Sequence, residues 1–268
     1  SDLLSAEDIN PLAIVARHYL PAGEVVRALQ AGKHVFCEKP LALNPEQLSE
    51  IQVALEQNPT SLLMVGFNRR FAPLAQRLTA FLHDRQEPLV AHYRVNAGFL
   101  PLTHWLHDPQ QGGGRIIGEG CHFIDFLSFL IGSPPLSVHT QALPDLGRYC
   151  EDNVLLHFTF PDGSLGSVLY LANGDKAFPK ERVEVFCGGR AAALDDFRAL
   201  ELVQDGKRTH IRSRLRQDKG HRAELEAFAA AILAGGPPPI PYAHLFGVTR
   251  ASFAAMKALR TGEKVHIS

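Results

Sequence analysis

The sequence predicts an α/β region of the doubly wound, parallel-sheet type over residues 1–67, followed over 68–268 by an α+β region on an open, mostly antiparallel sheet. Three observations predict this. Short apolar runs without polar alternation, separated by helical patterns, fill the first region, as parallel strands with crossover helices require. From about Pro88 the apolar runs follow one another, broken by turn residues instead of helices. Two helical patterns then close the chain.

Each element has a local reason. Leu12–Ala16 is a short apolar run that suits a parallel strand buried on both faces. Pro21–Ala31 places Val25, Val26 and Leu29 on one helical face, and Gly32 stops it. His34–Cys37 is a second buried strand. Asn44-Pro45 opens a helix with Asn at the cap and Pro in the first turn, running to about Gln57. Leu62–Phe67 is a third strand. The first strand lies so close to residue 1 that earlier strands of the same sheet are expected to be missing.

Beyond Pro88, Leu89–Val95 alternates as a half-exposed strand would, and a helix is expected near Ile116–Ile131. Strands are expected at Ser137–Leu143, Asn153–Phe160, Ser164–Leu171, Arg182–Cys187, Ala191–Asp195, Leu200–Gln204 and Lys207–Arg212. Asp205-Gly206 is a hairpin signal between the last two. The closing helices are Lys219–Ala234 and Tyr242–Leu259.

The bulk composition excludes several functions. With 27 Lys and Arg against 28 Asp and Glu, there is no electrostatic case for nucleic acid or an anionic membrane as partner. No apolar run approaches the roughly 20 residues that span a bilayer. The four cysteines, Cys37, Cys121, Cys150 and Cys187, have no C-x-x-C spacing, which suits buried reduced thiols in the cytoplasm. No Cys/His/carboxylate rhythm suggests a metal site. His139, His157, His210 and His244 read as structural.

Two stretches carry chemistry. In Ala31-Gly32-Lys33-His34-Val35-Phe36-Cys37-Glu38-Lys39-Pro40, a lysine ends a parallel strand, where such sheets bind ligands, and the following proline restricts its backbone. Taken alone, Glu38-Lys39 reads first as a surface pair at a turn. The second stretch runs from Gly112-Gly113-Gly114 through Gly118-Glu119 to His122 and Asp125 on a helix. A histidine on a buried helix is more often a packed core residue than a catalyst.

Together these stretches resemble the Gfo/Idh/MocA oxidoreductases, in which A-G-K-H-V-x-x-E-K-P is one hallmark and G-G-G leading to D-x-x-x-H-x-x-D is another. The resemblance extends through Val65–Phe71 and Lys219–Glu224, and is nearest the subgroup in which such a module forms the C-terminal part of a two-module oxidoreductase. It implies a partial Rossmann-like sheet followed by the family's C-terminal sheet domain, with the last helix returning to the first. It implies catalytic roles for Lys39 and His122, with Glu119 as a third group. It puts Ala16, Arg17, His18, Glu38, Lys39, Pro40 and Asn68 beside NAD or NADP. Arg69 and His122 would face a sugar, sugar nucleotide or cyclitol. It also implies a homo-oligomer formed through the open sheet face. Apart from the resemblance, His104-Trp105-Leu106-His107-Asp108 reads equally as a sugar-facing segment, with Trp105 offering a flat apolar face and His104 a polar group, or as an ordered loop anchored by Trp105.

Three departures stand out. The family's aspartate four residues before the histidine is Gly118 here; Glu119, about 100° further round a helix, reaches the site only from an adjacent face. A histidine common after the cofactor loop is Pro21. No G-x-G-x-x-G links a strand to a helix, so impaired dinucleotide binding is expected. The rival reading is an inactive fragment, or a carbohydrate-binding or scaffold module.

Overall fold

The computed structural model describes residues 4, 10–15, 18, 21–213 and 216–267. Strands β1 (Pro11–Ile14), β2 (His34–Cys37) and β3 (Leu63–Val65) form a parallel sheet in that order. Helices α1 (Pro21–Gln30) and α2 (Pro45–Gln57) make the crossovers. The α2 start follows its sequence signal: the Asn44 side chain accepts from the Gln47 amide at 2.9 Å, and Pro45 lies in the first turn. β1 corrects an expectation. It is half-exposed along its length, because among the described residues it lies at the edge of this sheet and pairs only with β2.

A 3₁₀ turn (Asn68–Phe71) and helix α3 (Pro73–Leu82) lead to the second sheet. That sheet holds β4 (Val90–Asn96), β5 (Ser137–Ala142), β6 (Asn153–Thr159), β7 (Leu165–Leu171), β8 (Glu181–Cys187), β9 (Arg190–Asp195), β10 (Ala199–Gln204), β11 (Lys207–Arg212) and β12 (Val265–His266). Their order is β11-β10-β9-β8-β4-β7-β6-β5-β12. Only the β4–β7 pairing is parallel.

Helix α4 (Cys121–Ile131) lies on the inner face of this sheet. Tyr93 meets the rings of Phe123 and Phe126 at 5.0 and 5.5 Å, and Phe126 meets Phe197 at 5.7 Å. Each fully buried aromatic here contributes about 1.5–3 kcal/mol. Helices α5 (His221–Ala234) and α6 (Tyr242–Thr261) close the chain. α6 lies along β5 and α4 and reaches back to the parallel sheet. There the Leu63 amide donates to the Tyr242 hydroxyl at 3.2 Å, and Arg250 donates to Gln52 at 2.9 Å. Among the described residues no helix is long and apolar enough to cross a membrane.

Candidate active site

Sheet pairing runs up to the Glu38-Lys39 pair: the Glu38 amide donates to Ile14 at 3.0 Å, and the Gly66 amide to Cys37 at 2.9 Å. Lys39 therefore leaves a fixed strand end, the carboxyl edge where parallel sheets place ligands. The Lys39–Pro40 peptide is cis. The Lys39 ammonium donates to the Gly118 carbonyl at 3.0 Å, 79 residues further along the chain.

Gly118 belongs to a π-helical turn (Ile116–Gly120) that leads into α4. Such widened turns recur at functional sites. His122, the second residue of α4, meets Phe67 edge-on at 6.1 Å. Its Nδ1 is buried without a hydrogen-bond partner. Desolvation, and then the positive charges of Arg69, Lys39 and Lys180, hold its pKa well below the ordinary histidine value. At neutral pH it is an uncharged base. Lys39, at the end of β2, thus acts electrostatically on His122 of α4.

Glu119 joins them. Its Oε2 accepts from Arg115 at 3.1 Å and from the Tyr170 hydroxyl. Burial works to raise its pKa, but Arg115, Tyr170, Lys39 and Lys180 outweigh burial and lower it, so Glu119 is an anion. Arg115 also donates to the Gly98 carbonyl at 2.8 Å and lies 3.4 Å from Asp152.

Arg69 is not open to a ligand in the way the sequence suggests. Its Nε and Nη2 donate to Glu181 at 2.8 and 3.0 Å. Lys219 and the Tyr93 hydroxyl donate to the same carboxylate. Burial opposes this charge, but Arg69 and Lys219 bring the pKa of Glu181 down to about 2. Arg69 therefore reaches His122 through its field. Asn68 is buried and donates to the Lys219 carbonyl at 2.7 Å, which ties the start of α5 to the site.

His18 is buried, with its Nδ1 2.9 Å from the Gly112 carbonyl and its ring edge-on to Trp105 at 4.9 Å. It fills the room a side chain at position 118 would need: a Cβ on Gly118 would stand 2.8 Å from its Cε1. Desolvation lowers its pKa, and Lys39 and Glu119 act on it with opposite signs. His104 caps its own short 3₁₀ turn, its Nδ1 accepting from the Leu106 amide at 3.2 Å. With Trp105, His107 and Cys150 it lines a hollow of about 530 Å³ whose walls include neither Lys39 nor His122. Glu38 packs on Gly66, where a Cβ would stand 3.0 Å from its Oε2, and Pro40 is buried beside it. Ala16 and Arg17 lie outside the described residues.

Sequence reasoning missed Tyr170, Lys180, Glu181 and Glu224. Two carried a signal. Glu181 is in phase with buried Val183 and Val185, and Tyr170 with buried Gly166 and Val168, so strand alternation points both inward. Glu224, on α5, is buried with an unpartnered Oε2. Burial first, then Glu38, pushes its pKa up to about 8.

Residues 1–67 match the family model described as an oxidoreductase family with an NAD-binding Rossmann fold, and residues 87–189 match the GFO/IDH/MocA C-terminal domain. Inositol 2-dehydrogenase 2 of Paenarthrobacter aurescens (strain TC1) is 28% identical over 254 residues, covering 89% of this chain and 73% of that protein. An NAD binding oxidoreductase from Klebsiella pneumoniae has the same fold, with a TM-score of 0.89 at 20% identity over 100% of this chain and 82% of that one. Levoglucosan dehydrogenase in complex with NADH superposes with a TM-score of 0.86 at 20% identity, with the same coverage of 100% and 82%. Both family matches, one spanning Lys39 and the other His122, lead to one conclusion: the chain belongs to the Gfo/Idh/MocA family of oxidoreductases.

Proposed function

We propose that this protein transfers hydride between a carbinol of a sugar or cyclitol and NAD or NADP, with Lys39 and His122 handling the hydroxyl proton. The observation that carries the reading is the Lys39–Gly118 hydrogen bond, one turn before a His122 that burial, and then its cationic neighbours, keep unprotonated. The names of the relatives agree with it: inositol, levoglucosan and anhydrofructose are each substrates in those names.

The nicotinamide end of a dinucleotide fits the residues present. Glu38, Pro40 and the Gly66–Asn68 segment line the carboxyl ends of β2 and β3, and Gly66 lets the Glu38 carboxyl pack directly on the backbone there. These residues, with His18, would hold it; when bound, it supplies the hydride acceptor. These 268 residues contain no G-x-G-x-x-G turn to cradle the pyrophosphate, so weakened dinucleotide affinity remains part of the proposal.

The chain's own groups do the rest. The Lys39 ammonium, aimed by its bond to Gly118, has further N–H donors for the reacting hydroxyl oxygen and favours its anionic form. His122, uncharged at neutral pH, takes the proton. Glu119, anchored on Arg115 and Tyr170, is a fixed acceptor for a neighbouring substrate hydroxyl. Trp105 presents an apolar surface beside the site. The open face of the nine-stranded sheet, with exposed Val90, Leu165 and Phe186, is the proposed contact with a second copy.

The test has two parts. NAD+ and NADP+ are titrated by calorimetry into this chain and into one extended upstream with a glycine-rich strand–helix unit. Whichever binds is then assayed for reduced nicotinamide with a panel of polyols. Lys39→Ala and His122→Ala are expected to lower turnover about 10²–10⁴-fold with dinucleotide binding retained. Intact turnover in Lys39→Ala, or no dinucleotide binding by either chain, overturns the proposal.

A further inference from the structure

Helix α2 separates its charges by side. Glu46 and Glu50 line a hollow against α1, together with Val26 and Gln30. On the side where α2 meets α6, the charge is all of one sign. A cavity of about 840 Å³ lies there, walled by α2, α6, β12 and the loop that carries Gly113. Helix α6 turns Arg250, Phe253, Lys257 and Arg260 into it, at the three- and four-residue spacings of one helical face. Among the described residues no aspartate or glutamate lines this cavity. Neither Lys257 nor Arg260 forms an ion pair with a described residue, and Arg250 donates to the neutral Gln52 amide. A helix dipole favours a cation in the last turn, which accounts for Arg260. It does not account for Lys257 a turn earlier, or for Arg250 in mid-helix.

The rest of the wall says what kind of anion fits. Leu43, Leu48, Ile117, Phe253 and Met256 make much of it apolar. The amide oxygens in it are already spent. Asn44 accepts from the Gln47 amide, and Gln52 accepts from Arg250. A body rich in N–H or O–H donors, such as a nucleobase or a sugar, therefore gains little here, whereas a hydrocarbon chain leaves no donor unpaired. The cations then select the head group, since removing apolar surface from water discriminates no charge.

We infer that this cavity binds an aliphatic anion, its chain against Leu48, Phe253 and Met256 and its carboxylate or phosphate held by Lys257 and Arg260. The walls include neither Lys39 nor His122, so the occupant is not the substrate of that pair. It rests on Ile117, the neighbour of the Gly118 whose carbonyl anchors Lys39.

The experiment uses the chain as it stands, with methyl-labelled methionine. The protein has two methionines: Met256 in the cavity wall, and Met64, fully buried in β3, as an internal control. Met256→Leu assigns the signals. Octanoate, octyl phosphate and octanol are titrated in low and high salt, and the methyl resonances are followed. Both anions are expected to shift the Met256 signal to saturation while Met64 stays in place. They should bind about tenfold more tightly than octanol, as a charge-assisted hydrogen bond allows, with the advantage shrinking in high salt. The tighter of the two anions names the head group. The double substitution Lys257→Gln, Arg260→Gln should remove the advantage and leave octanol binding as it was. Both side chains are exposed, so an unchanged melting temperature is expected. A Met256 signal that neither anion moves, equal affinity for octanol, or a preference that survives the double substitution overturns the inference. Each of these outcomes leaves the Lys39–His122 reading untouched, because those residues lie outside the cavity.

Discussion

Glu181 is 1% exposed and holds Arg69, Lys219 and Tyr93 with its two oxygens, while Arg69 in turn biases His122. Removing one member of a buried ion pair costs about 3–5 kcal/mol, because the other charge is left uncompensated. Glu181→Gln is therefore expected to lose that much stability at neutral pH. The pH dependence follows from the lowered pKa, about 2 against an ordinary 4.5. The stabilisation is complete above the unfolded value and is lost as pH falls from there through the folded one. Urea unfolding of both proteins at neutral pH and at about pH 3 should show the gap narrowing in acid. A gap of constant size would mean that Glu181 is not held as an anion by its neighbours. At this scale the sequence was half legible. Lys39 and His122 stood out by motif, whereas the Glu181 carboxylate lay one residue outside the expected strand Arg182–Cys187. Nothing local says that Arg69 would be spent on it, because that pairing spans 112 residues.

The elements were mostly legible because their signals are local. Asn44-Pro45 caps α2, and Asp205-Gly206 turns β10 into β11. α3 escaped notice because Ala72 offers no side-chain cap, although Leu74, Ala75, Leu78 and Leu82 do form a buried helical face. The turn Ile116–Gly120 was expected as ordinary helix; its π form, and the reason for glycine at 118, become visible only with His18 and Leu106 in place. Gly118→Ala would bring a Cβ to 2.8 Å from both side chains. Overpacking of this kind costs about 1–3 kcal/mol. Trp105 is the only tryptophan and touches His18, so its fluorescence should change in Gly118→Ala along with a lower melting temperature. Unchanged emission and stability would show that the His18 ring does not occupy that room. The family's aspartate at this position would meet the same obstacle, and here the anchored carboxylate comes from Glu119.

For the molecule as a whole, periodicity revealed two kinds of sheet but not how they meet. That depends on α4 and α6, whose burial links β5, β4 and the parallel sheet. The outward face of the larger sheet leaves Val90, Leu165 and Phe186 between 48% and 56% exposed. Val90 is the register partner of both others, so the three form one apolar row across adjacent strands. An apolar row on an uncovered sheet face suits contact with a second copy. Phe186→Glu is expected to shift the protein to monomer in light-scattering chromatography while leaving ligand binding unchanged. A wild type that is already monomeric at high concentration would remove that expectation.

All of the chemistry rests on Lys39 and His122 sharing one electrostatic environment. Nuclear magnetic resonance titration of the His122 ring, assigned with His122→Gln, reads this without requiring turnover. Lys39→Met removes one of the charges that depress His122, so the titration midpoint should move upward from its wild-type position, yet stay below the ordinary histidine value because desolvation and Arg69 remain. A midpoint that does not move would mean that the two groups do not meet, and the hydride-transfer reading would fall with them.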